Sequence, residues 1–393
     1  MGEARQKLTY SWVETSYSEG RLYGTNNGSD NLTFPSLQPC EKPSYVPHLY
    51  VCRVFLGPVI QRVLKHMPSL TKLSLRTNRG VVHGPYWTFL NFALSLPRLR
   101  EFEMIGLTFC PVVLPTESLQ LESGAPLTAF RYEAFLTRDR AYARAAEKDA
   151  LAVVLEKIHH SLVTLALPSE PAPIHLMSGI SWPNLRELKL RGMRWAEPRT
   201  PLVLLFATMP HLRSLVLELV VPDDTSPEAL WPRGLPRDTQ FPWPELEELT
   251  VANPHPDDKL FAHLPESLRM LALPACPRKC VQPWLWRYED GRHWFPRPPT
   301  FHLPSASDVL GILERCPAAS RSRLTRLEME YGADEGEGDL LRYLGIAFPN
   351  ITSLTFYRYR RSEELVVPVV RFAVRSSDRL SVMLTRDLSH WQS

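Results

Sequence analysis

The stretch "WPNLRELKLRGMRW", residues 182–195, decides how the rest of the chain reads. Leu185, Leu188 and Leu190 follow the pattern L-x-x-L-x-L, and from Glu187 to Arg191 charged and apolar residues alternate without exception. That alternation predicts a half-buried strand of about five residues. A strand this short cannot bury its own apolar face, so it needs neighbours of the same kind.

The neighbours are in the same sequence. "MPSLTKLSLR" sets Leu70, Leu73 and Leu75 in the same phase, and "LPRLREFEM" sets Leu99, Phe102 and Met104. "APLTAFRY", "HSLVTLAL", "MPHLRSLVL", "WPELEELTV", "PESLRMLAL", "SRLTRLEM" and "FPNITSLTF" begin the pattern at Leu127, Leu162, Leu212, Leu246, Leu268, Leu324 and Ile351. The ten copies are separated by steps of 29, 28, 35, 23, 27, 34, 22, 56 and 27 residues. One unit recurring at this scale is the signature of a solenoid, and L-x-x-L-x-L is the core of the leucine-rich repeat.

Helical spacing precedes many of the copies: "LGPVIQRVLKHM", "YWTFLNFALSL", "YARAAEKDALAVVLEKIHH", "VLLFATM", "SASDVLGILERC" and "GDLLRYLGIAF". Prolines 68, 97, 183, 210, 244 and 349 stand two residues before the first repeat position, where they stop a helix or shape the loop. The expected fold is α/β: a leucine-rich-repeat solenoid with short parallel strands on the concave side and helices on the convex side. Residues 1–48 carry no copy and read as an irregular or flexible segment. Residues 49–393 form the solenoid, interrupted by an aromatic and basic insertion at 274–304. "YVCRVFLGPVIQRVLKHM" is expected to cap its N-terminal end and "LVVPVVRFAVRSSDRLSVMLTRDL" its C-terminal end.

Phase also tells which side chains leave the core. Leu188 and Leu190 point in, so Glu187, Lys189 and Arg191 point out onto the concave face. The same rule selects Lys72, Ser74 and Arg76; Glu101 and Glu103; Arg131 and Glu133; Ser214, Val216 and Glu218; Arg326, Glu328 and Glu330; and Ser353, Thr355 and Tyr357. A mixed-sign face of this kind is either solvated or a partner-binding surface. In the insertion Trp284, Trp286, Arg292 and Trp294 are of the types enriched in binding hot spots, although such rings also pack a loop onto its own domain.

The totals bound the function. The 393 residues carry 45 basic and 42 acidic side chains, a net +3, too weak to imply nucleic acid or an anionic membrane. The longest apolar run, near "PLVLLFATM", falls short of the roughly 20 residues that span a bilayer. With no secretory signal pattern at the N-terminus, the expectation is a cytoplasmic or nuclear protein with reduced thiols, monomeric and with no membrane partner. The fingerprints G-x-S-x-G, H-E-x-x-H, G-x-x-x-x-G-K-[ST] and G-x-G-x-x-G do not occur. Cys276 and Cys280 lack two further ligands at zinc-finger spacing, so no metal and no cofactor is expected. His159-His160 and the run Asp334, Glu335, Glu337, Asp339 fit helix ends, where cations and carboxylates favour the helix dipole. "YRYRR" at 357–361 alternates aromatics with arginines and supplies the main ground for a nucleic-acid reading.

"MPSLTKLSLR", "WPNLRELKLRG", "LPESLRMLALPACPR" and "AFPNITSLTFYRYR" resemble the leucine-rich-repeat part of fungal F-box proteins, especially the basidiomycete kind, over about residues 56–385. The resemblance implies a non-enzymatic protein-interaction module whose repeats capture a substrate. It also implies an N-terminal F-box that docks on the Skp adaptor of a cullin ubiquitin ligase. Residues 1–50 lack the leucine-proline start and the closely spaced amphipathic helices of that box. The alternatives are a free-standing scaffold or decoy without a ligase link, and a nucleic-acid-binding repeat protein. A helix over 50–67 that only closes the end of the array favours the scaffold.

Overall fold

All ten alternating segments are strands, and they pair in the order in which the chain makes them. The structure, a computed structural model, describes residues 6–12, 57–77, 85–109, 118–133, 145–193, 195, 200–221, 227–235, 240–275 and 303–359. Among them are eleven strands: β1 (Gln6–Trp12), β2 (Leu70–Thr77), β3 (Glu101–Ile105), β4 (Ala129–Glu133), β5 (Thr164–Pro168), β6 (Glu187–Met193), β7 (Ser214–Val220), β8 (Glu248–Val251), β9 (Met270–Leu273), β10 (Arg326–Gly332) and β11 (Ser353–Tyr359). Every neighbouring pair is parallel, and β11 does not return to β1, so the sheet is open.

Parallel neighbours need a crossover, and helices supply it. Those described are α1 (Gly57–Lys65), α2 (Trp87–Leu94), α3 (Ala145–Ile158), α4 (Ile174–Gly179), α5 (Leu202–Leu205), α6 (Ala306–Arg315), α7 (Ala318–Arg323) and α8 (Glu337–Ala347). Strands added in chain order through crossovers of one hand carry all their helices on one face. The core lies between that face and the helices.

Register puts the leucines in line. Leu73, Phe102, Phe130, Leu165, Leu188, Leu215, Leu249, Leu271, Leu327 and Leu354 are matched strand to strand. The most exposed of them, Leu354, is 5 % exposed. A second ladder runs just ahead of the strands. The N–H groups of Arg186 and Glu187 both donate to Val163 O at 2.8 and 3.0 Å, and those of Arg213 and Ser214 to Arg186 O at 2.7 and 2.9 Å. Glu247 with Glu248 and Arg269 with Met270 repeat the arrangement on Arg213 O and Glu247 O. Each strand thus starts with its backbone donors satisfied, as burial requires.

The residue before the proline is often a core anchor: Trp182, Met209, Trp243 and Phe348 are all buried. The indole N–H of Trp182 donates to Met177 O at 2.9 Å, and that of Trp243 to Phe206 O at 3.0 Å. Each closes a carbonyl left open where a helix ends.

The N-terminal region departs from its expectation of irregular chain. Gln6–Trp12 is a strand, paired to β2 with Leu8 opposite Leu73 and Tyr10 opposite Leu75. The sequence there alternates Lys7, Thr9 and Ser11 with Leu8, Tyr10 and Trp12, a β pattern that joins the otherwise open edge of β2. As a result α1 is not the end cap. It lies between β1 and β2 in the chain, packs beside α2, and buries Ile60 and Leu64 in the common core. The rest of 1–48, most of the 274–304 insertion and the proposed C-terminal cap lie outside the described residues. Across the insertion, β9 and β10 pair directly, so its length adds no strand to the sheet order.

Gly192, near the end of β6, has φ +129°, and a Cβ there would stand 2.6 Å from Glu170 Oε1 and closer still to Oε2. Gly192→Ala is expected to lose about 1–3 kcal/mol of stability. Urea denaturation of the variant checks this, and an unchanged midpoint would contradict it.

Candidate interaction face

A parallel sheet is ordinarily covered on both faces and reads as continuous apolar strands. Here most alternate residues of the strands are polar or small, with Ile105, Val216 and Met270 among the exceptions, so the face away from the helices has a chemistry of its own. Register arranges it in rows. One runs Lys72, Glu101, Ala129, Thr164, Glu187, Ser214, Glu248, Met270, Arg326, Ser353. The next runs Ser74, Glu103, Arg131, Ala166, Lys189, Val216, Thr250, Ala272, Glu328, Thr355. Arg76, Arg191, Glu218, Glu330 and Tyr357 follow in the third. The face residues selected from the sequence, from Lys72 to Tyr357, therefore all stand on this one face.

The structure adds their partners. Lys72 Nζ donates to Glu101 Oε2 at 2.7 Å. Arg76 Nη2 and Ser74 Oγ both donate to Glu103 Oε2 at 2.7 Å. Arg191 Nε lies 3.6 Å from Glu218 Oε2. Arg326 on β10 reaches Glu248 on β8 at 2.7 Å, passing the row position of Met270. Thr164 Oγ1 donates to Glu187 Oε2 at 3.1 Å. Near the last strands, Glu330 accepts from Ala275 N at 2.6 Å and from the Tyr359 hydroxyl at 3.1 Å. The exposed pairs among them, Lys72–Glu101 and Arg326–Glu248, are each worth about 0–1 kcal/mol, so they set the pattern of the face more than its stability.

Glu103 is the most enclosed charged member of the first cluster, with its side chain 11 % exposed. Burial pushes its carboxyl up, but the hydrogen bonds from Arg76 and Ser74 and the charges of Arg76 and Lys72 outweigh it, so the group sits below the ordinary carboxylate range. A carboxylate depressed by folding stabilises the fold above its unfolded pKa, and that stability is lost as pH falls through the folded value. Glu103→Gln is therefore expected to lower stability at neutral pH and to flatten the acid side of the stability curve. Thermal melts from neutral pH to about pH 3 check it, and identical acid slopes for variant and wild type would contradict it.

Glu248 was missed by the sequence selection; the phase rule applied to Leu249 points straight to it. Arg358 was misread. The alternation in "YRYRR" leaves Tyr357 and Tyr359 on the open face and turns Arg358 inward, 8 % exposed. Its Nε and Nη2 donate to Glu337 Oε1 and Oε2 at 2.7 and 3.0 Å, so this arginine is not available to stack on bases. Trp284, Trp286, Arg292 and Trp294, with Cys276 and Cys280, lie outside the described residues.

Buried ionisable groups elsewhere hold the chain together. Asp258 accepts from the backbone N–H groups of Leu230, Trp231 and Leu260 at 2.6, 3.0 and 2.9 Å. Burial keeps its carboxyl above the ordinary value against those three bonds. Buried Glu147 accepts the Tyr132 hydroxyl, which in turn accepts from Phe109 N at 3.0 Å. Burial pushes the Cys316 thiol up to about 12. His159 and His160 follow the last turn of α3, as read from the sequence, and Asp334 accepts from Gly336 N and Ser307 N at the starts of α8 and α6. Among the described residues, no group of three His, Cys, Asp or Glu is placed to hold a metal, and no helix is long and apolar enough to cross a membrane. No protein-family model matches the chain, and no curated protein matches it.

Proposed function

We propose that this chain is a leucine-rich-repeat solenoid that binds another protein through the open face of its sheet and performs no chemistry of its own. One observation carries the reading: a ten-strand run of parallel sheet, β2–β11, keeps one face for the core and presents rows of mixed charge on the other. Extended surfaces of this kind are what stacked units offer to partners. The repeat pattern and its resemblance to fungal F-box proteins extend the proposal to substrate recognition for a cullin ubiquitin ligase.

A second reading, a free-standing scaffold without a ligase link, is favoured by α1. The helix nearest the expected adaptor-docking region has Ile60 and Leu64 committed to the core beside α2. Titrating the purified full chain with the Skp adaptor by calorimetry separates the two. A one-to-one complex supports the ligase receptor. No heat of binding at tens of micromolar sinks it and leaves the scaffold.

A further inference from the structure

The open face does not treat its cations alike. Lys72, Arg76, Arg191 and Arg326 each stand against a carboxylate, at 2.7, 2.7, 3.6 and 2.7 Å. Among the described residues, Arg131 and Lys189 have no ion-pair partner and no side-chain hydrogen bond. They are not scattered. Arg131 on β4 and Lys189 on β6 are both in register with Ala166 on β5. Two strand spacings set their backbones about 9.5 Å apart. Between them stands Ala166, a methyl group that its surroundings cover to 4 % exposure. The result is two half-buried cations on either side of one small residue, with no carboxylate between them. An anion over Ala166 is within reach of both, because each side chain carries its charge well beyond its own Cβ.

The neighbours limit what that anion can belong to. Glu133 follows Arg131 by two residues on the same face, and Glu187 precedes Lys189 by two. A polyanion such as a nucleic acid would lay further charges on these carboxylates and on those of Glu101, Glu103 and Glu218. A lone carboxylate with cations close by matches all four charges at once.

We propose that the Arg131 and Lys189 pair astride Ala166 is the docking point for one acidic side chain of a partner protein, an aspartate or glutamate on an extended segment with lysine or arginine on either side of it. The proposal rests on the reading of the open face as a protein-binding surface. It narrows that surface to β4–β6 and to one kind of contact. Complementary charge of this type sets register and specificity more than raw affinity.

The test is selection of linear peptides from a displayed random library on the full chain, followed by anisotropy titrations of the enriched peptides. The expected peptides carry an acidic residue with basic neighbours. The double variant R131E/K189E should weaken them by about tenfold or more, and exchanging the peptide's acidic residue for lysine should restore binding to that variant. The variant R326A, on β10 and four strands from β6, should leave them unchanged. Arg131 and Lys189 have no partner among the described residues to lose, and a thermal melt verifies that the double variant folds. Peptides that keep their affinity for R131E/K189E but lose it on R326A would overturn this docking point and leave the face as the binding surface. If no enriched peptide responds to any open-face substitution, both fall. A single-stranded oligonucleotide bound through Arg131 and Lys189 would overturn the assignment to a protein partner.

Discussion

Trp243→Ala should destabilise the chain by about 3–5 kcal/mol. The ring is 1 % exposed and stands edge-on to Phe241, with centroids 5.4 Å apart and planes at 87°. Its N–H satisfies Phe206 O at 3.0 Å, so truncation opens a cavity and orphans a buried carbonyl together. The position is structural punctuation as well. Trp243 precedes Pro244 and leads into β8, whose strand partners are only β7 and β9. A unit that touches only its neighbours cannot share the loss across the molecule. Urea unfolding should therefore show a lower midpoint, and the transition should broaden or split as the two sides of β8 uncouple. A loss below about 1 kcal/mol with a single sharp transition would show that the site collapses around the gap, which the rigid backbone on either side argues against.

Arg358→Ala should cost a similar amount, about 3–5 kcal/mol, for a different reason. The Arg358 and Glu337 side chains are 8 % and 15 % exposed, and two hydrogen bonds join them. The Tyr331 hydroxyl donates to the same carboxylate at 3.1 Å, and burial followed by the nearby Glu337 charge pushes that phenol well above its usual range. Removing the arginine leaves Glu337 in the core margin without its main counter-charge. Removing both charges is milder, because a buried pair contributes little over a well-packed apolar one. E337L/R358M should thus recover most of the loss of R358A. If the double variant is as unstable as the single, the damage lies in packing around β11 and not in the stranded charge.

The strands were legible because L-x-x-L-x-L combines phase with spacing, and no other element answers to both. β1 was not, since it has a single alternating run and no preceding helix or proline to announce it. Most candidate face residues were placed by the same phase, yet which of them pair was hidden. Lys72 and Glu101 are 29 positions apart and meet only through register. Aligning the copies row by row would have shown that pairing, but it also sets Glu103 beside Arg131, and only the structure shows that Glu103 is held by Arg76 and Ser74 instead. Asp258 could not have been read at all. It sits in a proline-rich loop, and the backbone groups at Leu230 and Trp231 that it holds carry no side-chain signature.

Strict chain order in the sheet has a kinetic meaning. No strand waits for a distant part of the chain, since each is completed by the one just made. Closing a loop costs more only with the logarithm of its length, so even the 56-residue step from Leu268 to Leu324 adds about 0.6 kcal/mol over a 27-residue one. Folding can start at any adjacent pair and zip outward in both directions. Low contact order of this sort favours speed, and it lets a growing chain lay down β2 and β3 before β11 has been synthesised.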